Sequence, residues 1–70
     1  MSDKVYKIIE LAGSSPESIE DSVIKAVKQA SKTVRKMSWF TIKEVRGVLD
    51  DENSVAKWQA IVRVGFEVED

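Results

Sequence analysis

The side chains able to do chemistry in this sequence are few, and the missing types narrow the field. Seventy residues carry 11 basic and 12 acidic side chains and neither Cys nor His. Without Cys there is no thiol nucleophile, no disulfide framework and no Cys-ligated zinc or iron–sulfur site. Without His the Ser-His-Asp arrangement, the imidazole base and the His-ligated metal also fall away. Acid–base work is left to carboxylates, lysines, hydroxyls and the one tyrosine, Tyr6. An enzyme built on Glu44 is therefore the weakest reading, because no base–nucleophile pair or phosphate loop accompanies it. The acidic run Asp50-Asp51-Glu52-Asn53-Ser54 lacks the alternating ligand spacing and terminal Glu of a calcium loop. The remaining candidates are recognition residues: Trp39, a large flat aromatic, and the polar Gln59 and Arg63.

The elements that must position these residues separate by period. Lys4 to Leu11, with Val5, Tyr6, Ile8 and Ile9, reads as a strand, and Ala12-Gly13-Ser14-Ser15-Pro16 as a loop. A helix follows, with Ser15 as N-cap before Pro16 and Ser18 as a competing cap. Ile19, Val23, Ala26, Val27 and Ala30 recur on one helical face. Glu17, Glu20 and Asp21 come early and Lys25, Lys28, Lys32 and Arg35 late, an order that complements the helix dipole. The helix is expected to end between Ser31 and Lys36. Two strands follow, Ser38 to Leu49 and Val55 to Val68, joined by a turn at residues 50–54.

The last strand is the clearest. Ala56, Trp58, Ala60, Val62, Val64, Phe66 and Val68 alternate with a set that includes Lys57, Gln59, Arg63 and Glu67. Successive side chains point to opposite faces, so the even set packs on a core and the odd set looks away. In the preceding strand Phe40 and Ile42 share one face and Trp39, Thr41 and Lys43 the other. Glu44 and Arg46 then fall on the core-face phase, where they can pair with each other or reach an interface. Gly13 and Gly47 read as positions of special backbone conformation.

A crossover helix and a hairpin give the order first–third–second, with the long apolar strand in the centre. The expected fold is α+β: a three-stranded antiparallel sheet, β-α-β-β, with one helix on one face and nothing on the other. Trp39 on an otherwise polar face calls for a partner, either a subunit or a flat ligand. Centring the turn near Glu52 sets Val45 opposite Gln59, with Trp39 six residues, about 20 Å, further along. Two chains across a twofold axis would bring Trp39 and Gln59 to one ring where a single chain would not.

Net charge −1 gives no basic footprint for nucleic acid. No apolar run approaches the ~20 residues of a membrane helix, and Met1-Ser2-Asp3-Lys4 opens no signal-peptide core. A cytoplasmic protein is expected. A chain this short buries only about 60% of its unfolded surface. With disulfides impossible and metal ligands poor, oligomerisation is the expected support.

Val5-Tyr6-Lys7, Glu10-Leu11-Ala12-Gly13-Ser14-Ser15, Ala30-Ser31-Lys32-Thr33, Trp39-Phe40, Glu44-Val45-Arg46-Gly47, Gln59 and Val64-Gly65-Phe66 together resemble the dodecin family. The resemblance runs in order along nearly the whole chain, so residues 1–70 read as one dodecin-like flavin-binding domain. It implies a hollow homododecamer that stores, sequesters or shields flavin without catalytic turnover. It implies that Trp39 stacks on the isoalloxazine ring of riboflavin, lumichrome or FMN, between Trp residues of twofold-related subunits. Gln59 corresponds to the residue that reads the polar edge of the ring.

Many relatives have Arg where this chain has Glu67, and there the Arg is associated with FMN phosphate or coenzyme A. Arg46 and Arg63 are the candidates to compensate, and riboflavin or lumichrome is the better-supported ligand. Thr41 replaces a frequent Glu, and Trp58 a frequent Tyr or Phe; neither touches the stacking position. The competing reading is a non-catalytic scaffold oligomer whose outer sheet face, Trp39 included, serves only as a subunit interface.

Overall fold

The computed structural model describes residues 3–68. The elements run β1 (Tyr6–Ser15), α1 (Ile19–Ser31), β2 (Met37–Leu49) and β3 (Val55–Glu67). Both strand pairs are antiparallel and β3 lies in the centre, giving the order β1-β3-β2. This is the expected α+β arrangement. Among the described residues no helix is long and apolar enough to cross a membrane.

β1 does not stop at Leu11. Residues 12–15, expected as a loop, continue the ladder opposite Ile61, Ala60, Gln59 and Trp58. Gly13 makes this possible by letting α1 come close. A Cβ there would stand 2.0 Å from the Ser22 carbonyl oxygen and 3.0 Å from Ala26 Cβ. No glycine has positive φ, so Gly13 is required for space and not, as expected, for backbone conformation. Gly47 likewise has no positive φ, and the Trp58 ring 3.3 Å from a notional Cβ makes the space there tight without closing it.

Ser18, and not Ser15, caps α1: its hydroxyl accepts the Asp21 N–H at 3.0 Å. Ser15 is fully buried at the end of β1, and its hydroxyl joins strand to helix. It donates to Asp21 Oδ2 at 2.6 Å and accepts the Glu17 N–H at 2.9 Å. The Ser15 hydroxyl, followed by the Lys25 ammonium, holds the Asp21 carboxyl below its ordinary value. The helix ends at Ser31, inside the expected window.

Val23 and Ala26 of α1 pack on Ala60, Val62 and Val64 of β3, with Ile9, Leu11, Val27 and Met37 around them. The even positions of β3 are therefore core at mid-strand. Trp58 and Phe66 are half-buried, while Ala56 and Val68 are exposed. Length explains the taper. Thirteen helical residues span about 20 Å, but thirteen strand residues span about 43 Å. The molecule is accordingly 57 Å long and only 20 × 14 Å across.

The helix lies mainly over β1 and β3. It does not cover the whole inner face as expected: Phe40 (49%), Ile42 (45%) and Val45 (39%) of β2 remain exposed on it. Between α1 and this open strip lie grooves of ≈ 190 Å³ and ≈ 130 Å³, both bordered by Val27 and Phe40.

Two irregularities in β2 set which side chains face out. Met37 and Trp39 stand opposite consecutive residues Phe66 and Gly65, leaving Ser38 as the extra residue. Ile42 and Glu44 stand opposite Val62 and Ile61, leaving Lys43 extra. A one-residue bulge reverses the face of everything beyond it. Val45 therefore pairs with Ala60 on the inner face, and Glu44 and Arg46 join the outer face, opposite to the expected phase. Arg46, and not Val45, stands across from Gln59. The hairpin turn is closed by Asp50, whose Oδ1 accepts the N–H groups of Glu52 (2.9 Å) and Ser54 (3.0 Å), with Asn53 at φ 64°.

Gly13→Ala tests the close approach. A backbone oxygen cannot swing aside as a rotamer can, so destabilisation of about 3 kcal/mol is expected, at the upper end for overpacking. Thermal and urea unfolding at matched protein concentration would measure it. An unchanged midpoint would contradict the packing described.

Candidate ligand-binding face

The outer face is built in four rows across β1, β3 and β2. They are Ile8–Gly65–Trp39, Glu10–Arg63–Thr41, Ala12–Ile61–Glu44 and Ser14–Gln59–Arg46. The rows grade from aromatic, through ionic, to neutral polar.

At the aromatic end Trp39 is 42% exposed. Its six-membered ring lies on Gly65: Cζ2, Cε2 and Cη2 stand 2.3, 2.4 and 2.5 Å from a notional Cβ there. The Tyr6 ring meets the indole edge-on, with centroids 5.0 Å apart and planes at 62°. Glu67, across from Tyr6, forms an ion pair with Lys4 at 3.3 Å.

In the middle, Arg63 Nε donates to Glu10 Oε1 at 3.0 Å, and Lys43 Nζ approaches Glu10 Oε2 at 3.5 Å. The hydrogen bond from Arg63, aided by the Lys43 charge, holds the Glu10 carboxyl below its ordinary 4.5.

At the polar end Gln59 is fixed from both sides. Arg46 Nε donates to Gln59 Oε1 at 2.9 Å, and Gln59 Nε2 donates to Ser14 Oγ at 3.1 Å. A second Arg46 nitrogen binds Glu44 Oε2 at 3.0 Å, realising the Glu44–Arg46 pairing on the outer face. An amide oxygen has two lone pairs and an amide nitrogen two hydrogens. Gln59 thus keeps one donor and one acceptor in a set orientation.

The four residues singled out in the sequence all reach this face, but not one point. Gln59 and Gly65 are six residues apart on β3, about 20 Å. Trp39 and Gln59 of one chain therefore do not converge on one tricyclic ring. Arg63 and Arg46 both face out, and both are occupied by internal partners. Among the described residues no three carboxylates converge to hold a metal ion. A cavity of ≈ 380 Å³ bordered by Lys7, Arg35, Phe66 and Glu67 contains none of the four.

The sequence places Ser14 in a loop and not on this face; Lys43 it places here, with no sign of the Glu10 pairing. Ser14 sits in a Gly-Ser-Ser-Pro run of loop composition, and Lys43 acts from a bulge that no periodicity announces. Gly65 is visible only as a letter of the family resemblance, and Tyr6 reads as a strand residue with no signal of its contact with Trp39.

A small α+β protein with one helix, a bare outer sheet face and an exposed tryptophan on it is the class this architecture defines. A family model, Dodecin, matches residues 5–69. The dodecin of Thermus thermophilus is 42% identical over 67 residues, covering 96% of both chains. The structure of dodecin from Streptomyces coelicolor superposes with TM-score 0.91 at 40% identity, over 100% of this chain and 99% of that one. A calcium dodecin from Mycobacterium tuberculosis, described as a calcium-chelating antigen, matches at TM-score 0.81 and 26% identity, over 93% and 91% of the chains. The chain belongs to the dodecin family.

Acid should act through Glu10. Its pKa is lowered on folding, so the stabilisation is complete above the ordinary 4.5. It is lost as pH falls from there through the folded value. Melting temperature followed from pH 6 to pH 3, with both pH values set by about the carboxylate range, should drop less steeply in Glu10→Gln than in wild type. Parallel curves would show that the Arg63 and Lys43 contacts carry no linkage.

Proposed function

We propose that this protein is a non-catalytic flavin-binding oligomer, in which Trp39 stacks on the isoalloxazine ring and Gln59 reads its polar edge. The observation that carries the reading is Trp39 itself. Its indole lies flat on Gly65, one face against the backbone and the other turned outward from a mostly polar sheet face. Aromatic rings stack on such a surface in offset geometry, for about 1–3 kcal/mol per stacked ring. The remaining donor and acceptor of Gln59 suit a ring edge that carries both. A contacting electron-rich indole also drains the excited state of the bound ring, as storage or shielding requires.

Because Trp39 and Gln59 of one chain lie about 20 Å apart, each ring is expected to use Trp39 of one copy and Gln59 of another. A twofold arrangement satisfies this, and a closed homododecamer is the assembly the family suggests. The open apolar strip of Phe40, Ile42 and Val45 supplies a second surface for self-association. In the competing reading, the scaffold oligomer, Trp39 and its neighbour Ile8, 57% exposed, pack only against another subunit.

Riboflavin titration separates the two. Wild type should quench riboflavin fluorescence saturably, Trp39→Ala should abolish it, and Gln59→Ala should raise Kd about tenfold. Oligomers co-assembled from the Trp39→Ala and Gln59→Ala chains should regain some tight sites, because each chain supplies what the other lacks. No quenching by assembled wild type would move the weight to the scaffold reading.

Phosphate is disfavoured. Glu67 brings a carboxylate to the Trp39 end, and Arg63 and Arg46 are already engaged. We expect riboflavin or lumichrome to bind at least as tightly as FMN, and coenzyme A weakly. Glu67→Arg should shift the riboflavin-to-FMN preference toward FMN by about fivefold at low salt, and less as salt screens the charge. Unchanged preference would place the phosphate away from residue 67.

A further inference from the structure

We infer that Gly65 and Tyr6 are positioning residues that fix the Trp39 indole as a one-sided stacking platform before any ligand arrives. The inference deepens the flavin reading but rests on geometry of its own. Three contiguous ring atoms of Trp39 lie nearly equidistant, 2.3–2.5 Å, from a Cβ built on Gly65. An approach along the ring edge would bring one atom much closer than its neighbours, so the Cβ direction meets the face of the ring. Any side chain at residue 65 would occupy the place of the indole.

Gly65 is buried and has no positive φ, so backbone conformation does not demand glycine there. It sits in the central strand, between Trp39 on β2 and Ile8 on β1. The gap lets the indole reach across β3 toward β1, where the edge-on contact with Tyr6 stops it. One face of Trp39 is thereby committed to backbone, and the Tyr6 ring packs against the indole with centroids 5.0 Å apart and planes at 62°. The other face is left for a planar ring, which meets an indole already ordered and loses less freedom on stacking.

The test reads the indole without flavin. Trp39 and Trp58 are the only tryptophans, so a Trp58→Phe background leaves Trp39 as the sole emitter. In the apo protein, Gly65→Val should raise acrylamide quenching of Trp39 about twofold and lower its fluorescence anisotropy, because both indole faces become accessible. Tyr6→Ala should move both readouts the same way by a smaller amount. Tyr6→Phe, which keeps the ring, should leave them at the parent value.

Near-UV circular dichroism should lose the Trp39 band in Gly65→Val and retain it in Tyr6→Phe. Riboflavin Kd should rise about tenfold in Gly65→Val, the loss of one stacked contact. Far-UV circular dichroism checks the fold; should Gly65→Val not fold, Gly65→Ala and Tyr6→Ala decide by the same readouts. Unchanged quenching and anisotropy in folded Gly65 and Tyr6 variants overturns the inference. Failure of the parent protein to bind riboflavin defeats the flavin reading and leaves the apo readouts to judge the platform.

Discussion

Everything else in this molecule follows from a mismatch of lengths. A thirteen-residue helix spans about half the length of the thirteen-residue strands it packs on. It is one helix wide against three strands. It seals β1 and mid-β3 with small residues, Val23, Ala26 and Ala30, and reaches no further. The outer face and the inner side of β2 stay open, and both carry large apolar side chains. The protein's surface is in effect an incomplete core, which is why self-association and ligand binding become one problem.

Close approach recurs as the means of arranging what remains. Gly13 lets backbone meet backbone between β1 and α1, so the short helix sits low enough to bury Ala60 and Val62. Gly65 does the equivalent on the outer face, where an indole takes the space a side chain would fill. In both cases the glycine is chosen for volume. The bulges at Ser38 and Lys43 complete the arrangement by rephasing β2. Through them Met37, Phe40 and Val45 face the helix side while Trp39, Glu44 and Arg46 face out.

The charges of the outer face are largely consumed by one another. Glu10 gathers Arg63 and Lys43, Arg46 spans Glu44 and Gln59, and Glu67 holds Lys4. Exposed pairs of this kind add little stability. Their effect is orientation: Gln59 presents a fixed pattern of donor and acceptor because Arg46 and Ser14 hold the other two positions of its amide. The same contacts give Arg46 and Arg63 internal partners on this face.

Periodicity alone determined the strand–helix–strand–strand order, the antiparallel 1-3-2 sheet and the outward direction of Trp39, Gln59 and Arg63. Those features are local: alternation at period two and recurrence at period 3.6 are written residue by residue. Composition excluded thiol and imidazole chemistry for the same reason. What the sequence left undecided was contingent on contact between elements. A bulge has no local signature, so Glu44, Arg46 and Val45 changed faces and the register moved by one. Gly-Ser-Ser reads as a loop until a neighbouring strand pairs with it and a helix settles on its glycine. Two serines could each cap α1, and only the pairing of Ser15 with Trp58 in the sheet left that task to Ser18. The flat seat of Trp39 on Gly65, 26 residues away in the chain, exists only because β2 and β3 pair in this register. Positions that meet across strands are fixed by tertiary geometry, which no single stretch of sequence contains.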